Sequence, residues 1–233
     1  MRRGWVVAGC LCLAIGWLSP LRAAQSAPMI LALGNTAYLN APAIQAATGA
    51  EVKTDLEKHE LADFAVIVLA NVAYSSLPGT VQQGLVQYVT DGGALLLTGG
   101  PQAFGSGGYQ AVAPIVPFQI RSAGDWRVTP FRPPVSLQPG HPILAGVEFI
   151  TVGAVNDMNP RPGATEILQA AGGGTAGGGS YPYPLIAEMG VGAGWVLGIA
   201  LDLNEFGGMR DRDRFVQNTM TYLLGVSRLG RNR

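Results

Sequence analysis

The chain has 233 residues, with 15 basic and 15 acidic side chains and 48% hydrophobic residues. Balanced charge with no basic stripe excludes the electrostatic footprint of a nucleic-acid-binding protein. Thirty-three glycines and 16 prolines against so few charges describe a compact, loop-rich protein with a sizeable core.

Arg2 and Arg3 precede an apolar stretch, residues 6–18, that ends near Pro20 and a run of small residues at 23–27. This is the outline of a secretory signal peptide. Its apolar core of about 13 residues is shorter than the roughly 20 that a transmembrane helix needs. The expected organisation is a signal at 1–26, an α/β domain at 27–228 and a tail at 229–233. The expected location is periplasmic or secreted, with a membrane tether through an uncleaved signal as the alternative and no membrane span after cleavage. Val7-Ala8-Gly9-Cys10 is similar to a lipoprotein box, but the apolar run continues past Cys10. Cleavage removes three of the 15 basic residues and leaves a formal charge of −3. It also removes Cys10 and Cys12, the two cysteines of the chain. The remainder then has no disulfide, no cysteine nucleophile and no cysteine metal site.

The first mature strand is predicted at 29–33, followed by a helix at 41–47 and a strand at 50–54. Residues 55–63 are the one concentrated charge cluster and read as a solvated helical turn carrying an exposed His59. Residues 64–69 form an almost unbroken apolar run with three β-branched residues, the pattern of a strand covered on both faces in a parallel sheet. Ser75 or Ser76 can cap a helix in which Val81, Leu85, Tyr88 and Val89 share a face. Gly92 or Gly93 ends it, and residues 94–97 form the next strand of a βαβ unit. Ligands of open parallel sheets gather beyond the carboxyl ends of the strands. Here that places Asn71 and Gly99-Gly100 at the candidate site.

The loop Phe104-Gly105-Ser106-Gly107-Gly108-Tyr109 reads as a wide turn pinned by its aromatic residues. It lacks the Lys or helix junction of a phosphate loop, and Ser106 lacks a complete G-x-S-x-G frame. Short strands are predicted at 126–128, 135–137 and 165–169, with His141 before a proline in a turn. Residues 171–184 form a glycine-rich mobile loop. Residues 185–189 and 195–201 flank a five-residue glycine turn in a predicted hairpin. Asp202, Asn204 and Glu205 follow as the strongest polar cluster of the chain. A last helix starts at Asp211 or Asp213, with Phe215, Thr219, Tyr222 and Leu223 on one face and Gly225 at its end. Arg210, Arg212 and Arg214 alternate with Asp211 and Asp213 as surface ion pairs.

The residues Ile67-Val68-Leu69-Ala70-Asn71, the stretch from Asp91-Gly92-Gly93 through Thr98-Gly99-Gly100-Pro101-Gln102-Ala103-Phe104-Gly105, Gly108-Tyr109, His141-Pro142-Ile143, Pro184-Leu185, Gly194-Trp195-Val196 and the closing helix resemble the glutamine amidotransferase-like domains of bacterial envelope proteins. These belong to the class I glutamine amidotransferase-like superfamily. The resemblance implies a flavodoxin-like three-layer α/β sandwich with a mostly parallel sheet, a C-terminal hairpin and a helix. Catalytic members place a cysteine on the elbow after the strand equivalent to 94–97, with His and an acid on a later loop. This chain has Gly99, Gly100 and Pro101 at that elbow and no His after His141. The expected function is therefore a non-catalytic module that binds a small molecule or an envelope protein. Its candidate ligand-binding residues are Asn71, Gly99, Gly100, Gln102, Phe104, Asp202, Asn204 and Glu205, with no cofactor and no metal. The alternative is a hydrolase using His141 with Asp202 or Glu205. Export predicts that mass spectrometry of the protein recovered from an export-competent host finds an N-terminus between residues 24 and 28; a chain still starting at Met1 contradicts the signal reading.

Overall fold

The computed structural model describes residues 26–149, 151–170, 182–205 and 209–229. The proposed signal and most of the glycine-rich loop lie outside them. In chain order the structure opens with β1 (Met29–Gly34), α1 (Ala41–Thr48), β2 (Glu51–Lys53), β3 (Phe64–Ala70), α2 (Gly79–Thr90) and β4 (Ala94–Thr98). Short strands follow at β5 (Phe118–Ile120), β6 (Trp126–Arg132), β7 (Pro134–Ser136), β8 (Glu148–Phe149), β9 (Val152–Asn156) and β10 (Met158–Pro160). The chain closes with β11 (Thr165–Ala170), β12 (Tyr183–Val191), β13 (Gly194–Ile199), β14 (Met209–Arg210) and α3 (Arg212–Val226). Among the described residues no helix is long and apolar enough to cross a membrane.

Eight strands form one sheet in the order β2-β1-β3-β4-β13-β12-β11-β7. The first five run parallel, and β12, β11 and β7 continue the sheet by antiparallel pairing. The result is the flavodoxin-like α/β sandwich. All seven residues of β3 and all five of β4 are buried, which is why their sequences are continuous apolar runs rather than alternating ones. Strand alternation divides them between two cores. Ile30, Ala32, Val66, Val68, Ala94 and Leu96 face α3 with Phe215, Met220 and Leu223. Leu31, Leu33, Ile67, Leu69, Leu95 and Leu97 face α2 with Val81, Leu85, Tyr88 and Val89.

Several local features differ from the sequence expectation. Residues 74–76 form a short 3-10 turn, and α2 starts after Pro78 with no side-chain cap from Ser75 or Ser76. Instead the Gln82 side chain donates to the Leu77 carbonyl at 2.7 Å. The β12–β13 hairpin closes through two residues, Gly192-Ala193, because Val191 pairs directly with Gly194. Gly192 has φ +59°, the positive backbone angle that tight hairpins need. Tyr183 and Pro184, expected in the glycine-rich loop, already belong to β12. The arginines before and within α3 reach across to another segment rather than to Asp211 and Asp213: Arg210 pairs with Glu148, and Arg214 donates to the Gly146 carbonyl. His59 is half-buried, edge-on to Phe64 at 5.8 Å and 3.7 Å from Asp63.

Burial pushes the phenols of Tyr38, Tyr88 and Tyr109 above their ordinary titration range. A phenol raised in the folded state keeps its proton at pH values where the unfolded chain releases it. The stability tied to these groups is therefore complete below about pH 10 and is lost as pH rises above it. In an alkaline titration, tyrosinate absorbance of these residues is expected to appear together with loss of far-UV circular dichroism; ionisation of all seven tyrosines with the dichroism intact contradicts this.

Candidate functional site

The chain runs outward from β1 to β2 and then returns across β1 to β3, so the strand order reverses between β1 and β3. This switch point is where open α/β sheets place their ligands. One polar residue follows each of the neighbouring strands there. Asn71, directly after β3, adopts φ +40°, an uncommon left-handed conformation for a side-chain-bearing residue and one that Asn tolerates. Its Nδ2 donates to Asp202 Oδ2 at 2.8 Å, and its Oδ1 accepts from the Gln102 backbone N–H at 2.9 Å. Asp202 is only 4% exposed. Its Oδ1 accepts from the Asn204 backbone N–H at 2.9 Å and from Asn204 Nδ2 at 3.3 Å. Asn204 Nδ2 also donates to the Asn35 carbonyl beyond β1 at 2.7 Å. Side chains thus join the loops after β1, β3, β4 and β13. Beneath them the buried Tyr38 hydroxyl lies beside Thr98 and Asp202 without reaching hydrogen-bond geometry.

A second polar network stands behind the first. Asp125 is fully buried, and its carboxylate accepts from Gly105 N–H, Ser106 N–H and Ser106 Oγ–H, each at 2.9 Å, and from Asn156 Nδ2 at 3.2 Å. Among the described residues four converging donors, rather than a cation, meet this buried carboxyl group. Asn156 in turn brackets Gly100, accepting its N–H at 2.9 Å and donating to its carbonyl at 3.2 Å. The two amides leave no space at the elbow. A Cβ on Gly99 would stand 2.5 Å from Asn156 Oδ1 and 2.6 Å from the Ala200 backbone, and one on Gly100 would stand 2.2 Å from Asn71 Cγ. Gly100 also has φ +138°, a conformation for glycine alone.

Of the residues singled out in the sequence, Asn71, Gly99, Gly100, Gln102, Asp202 and Asn204 are brought together. Glu205 is exposed at the margin. Phe104 is not on the rim: it is buried in the core, edge-on to Phe118 at 5.5 Å and 6.3 Å from Tyr109. Ser106 spends its hydroxyl on Asp125 and has no histidine beside it. The pairing of His141 with Asp202 or Glu205 does not form. His141 Nε2 lies 3.4 Å from Glu188 Oε1, and its Nδ1 accepts from Ile143 N–H at 3.4 Å, so both ring nitrogens are occupied elsewhere. Asp125, Asn156 and Tyr38 at this edge, and Glu188 beside His141, are polar residues that sequence reasoning did not reach. Asp125 after Gly124 reads locally as a turn residue, and its partners lie 19 to 31 positions away.

No family model matches the chain, and none of the curated proteins matches it. Solved structures do. A cytoplasmic protein from Salmonella typhimurium is 13% identical over 86% of this chain and 99% of its own, with a TM-score of 0.63. ThuA-like proteins from Bacteroides uniformis and Parabacteroides merdae each have a TM-score of 0.53, at 12% identity over 89% of this chain and 96% of that one, and 9% over 88% and 92% respectively. The likeness is one of fold. It places the chain's architecture alongside that of ThuA-like proteins.

The crowding at the elbow predicts the cost of filling it. Gly99→Ala is expected to lose about 3 kcal/mol, because the backbone of Ala200 cannot yield. Gly49→Ala, with φ +73° and open space around its Cβ, is expected to lose only about 1 kcal/mol. Urea unfolding of the two variants checks this, and a neutral Gly99→Ala overturns it.

Proposed function

We propose that this chain is an exported glutamine amidotransferase-like domain, related to the ThuA-like proteins, that has given up thiol chemistry and serves in the cell envelope as a binding or interaction module. The observation that carries this reading is the state of the elbow. A cysteine amidotransferase needs a nucleophile on a sharp turn after the strand corresponding to β4, with two backbone N–H groups free to hold an oxyanion. Here that turn is Gly99-Gly100. The space for a side chain is taken by Asn71 and Asn156, and the Gly100 N–H is committed to Asn156.

The remaining sequence supports the same reading. Both cysteines precede residue 13, so a chain cleaved after its signal carries no thiol at all. His141, which the alternative hydrolase needs, is engaged with Glu188. What the carboxyl edge offers instead is a rigid polar surface whose outward groups are the Gln102 side chain and the exposed Glu205. Such a surface recognises a partner by fixed hydrogen-bonding groups rather than by turning it over.

Two measurements test this, the first on the purified protein and the second in cells. Incubation with glutamine is expected to release no ammonia above a buffer control. A photo-crosslinking residue at Gln102, in cells, is expected to give a discrete adduct that the same residue at Lys58 does not. Glutamine turnover refutes the loss of chemistry, and equal labelling at both positions refutes a specific surface at this edge.

A further inference from the structure

Away from the switch point, the sheet face beneath α3 carries a cluster that the proposed function does not use. Glu188 on β12 and His141 before the 3-10 turn at Pro142–Leu144 have side chains only 9% and 10% exposed. Glu188 Oε2 accepts from Tyr222 O–H on α3 at 2.7 Å and from Trp195 Nε1–H on β13 at 3.0 Å, while Oε1 faces His141 Nε2. The His141 and Tyr222 rings meet edge-on at 4.8 Å. Among the described residues no lysine or arginine bonds to Glu188, so His141 is the group in contact with it that can bring a positive charge.

We infer that His141, Glu188, Tyr222 and Trp195 form a proton-operated latch that holds the segment 138–149 against β12, β13 and α3. In the neutral imidazole one nitrogen must donate and the other accept. That tautomer satisfies both contacts, Nε2–H towards Glu188 and Nδ1 from Ile143 N–H, yet both are long at 3.4 Å. A second proton, arriving at Nδ1, gives up the weak Ile143 contact and turns the Glu188 contact into a charge-assisted one in a largely buried setting. The second effect is the larger. The groups facing His141 from the elements packed on it are Glu188 from β12 and Tyr222 from α3. Burial and then Glu188 hold the Tyr222 phenol above its ordinary range, so it keeps its proton across the acid to neutral range.

The latch has a path to the rest of the molecule. The segment it holds is also tied to α3 by Asn218 Nδ2, which donates to the Ala145 carbonyl at 2.9 Å. It then continues into β8, which pairs with β14 immediately before α3. Tightening at His141 therefore steadies β14 and α3, the elements that follow the Asp202–Asn204 loop in the chain.

The test is amide hydrogen exchange between pH 5.5 and 7.5, corrected for intrinsic rates, on the whole protein. Protection of Leu144, Ala145 and Val147, whose N–H groups bond within this segment, is expected to be about tenfold greater at the acid end, a shift of about 1.4 kcal/mol. Amides of β3 serve as the unmoved control. In His141→Gln and Glu188→Gln, each of which keeps a polar side chain at the position, the pH dependence is expected to vanish. With only two histidines in the chain, the His141 imidazole resonance is assigned from the first variant, and its titration must coincide with the exchange transition. Protection that does not change with pH, or a change that persists in His141→Gln, overturns the proposal.

Discussion

The constraint on which the carboxyl edge depends is the absence of side-chain volume at two successive glycines. Gly99 and Gly100 leave β4 in a space already filled by Asn71 on one side and Asn156 on the other. Each asparagine is then fixed by a buried carboxylate, Asp202 for the first and Asp125 for the second. Neither carboxylate has a lysine or arginine beside it among the described residues. Each is held below the surface by several donors that converge on it, N–H groups on Asp202 and both N–H and O–H groups on Asp125. The arrangement joins four strand ends and the 100–108 loop into one rigid unit.

The sheet beneath makes this possible. Five parallel strands with both faces covered fix the relative heights of β1, β3, β4 and β13, and the backbone N–H of the first residue beyond each bonds the neighbouring strand. At this edge side chains hold the loops together, and its chemistry is that of amides and carboxylates paired with one another. The polar cluster around Glu188 is built differently: it leaves one contact, to His141, long at 3.4 Å.

Much of the frame was legible in the sequence. The continuous apolar runs at β3 and β4 and the stripe of Val81, Leu85, Tyr88 and Val89 each report a local periodicity; the hairpin of β12 and β13 was legible too, but its turn has two residues where five were expected. The rim residues Asn71, Gly99, Gly100, Gln102, Asp202 and Asn204 were also legible, because they stand directly after predicted strands. What could not be read depends on pairing between distant segments. Asp125 and Asn156 are separated by 31 positions, and neither belongs to a motif. His141 sits before a proline, a strong local signal for a turn, but the partner of its ring comes from β12. Phe104 shows both outcomes: the turn pinned by its ring forms, since at φ +47° it packs on Phe118 and Tyr109, but that same burial removes it from the ligand-facing residues.

The claim at the centre of this account is that side-chain bonds, rather than the sheet alone, hold the carboxyl edge closed around the glycine pair. A double-mutant cycle between Asn71 and Asp202, each replaced by Ala and read by urea unfolding, measures that bond directly. The account predicts a coupling free energy of about 1–2 kcal/mol, as expected for a mostly buried amide–carboxylate contact. Additive losses, with a coupling indistinguishable from zero, would contradict it.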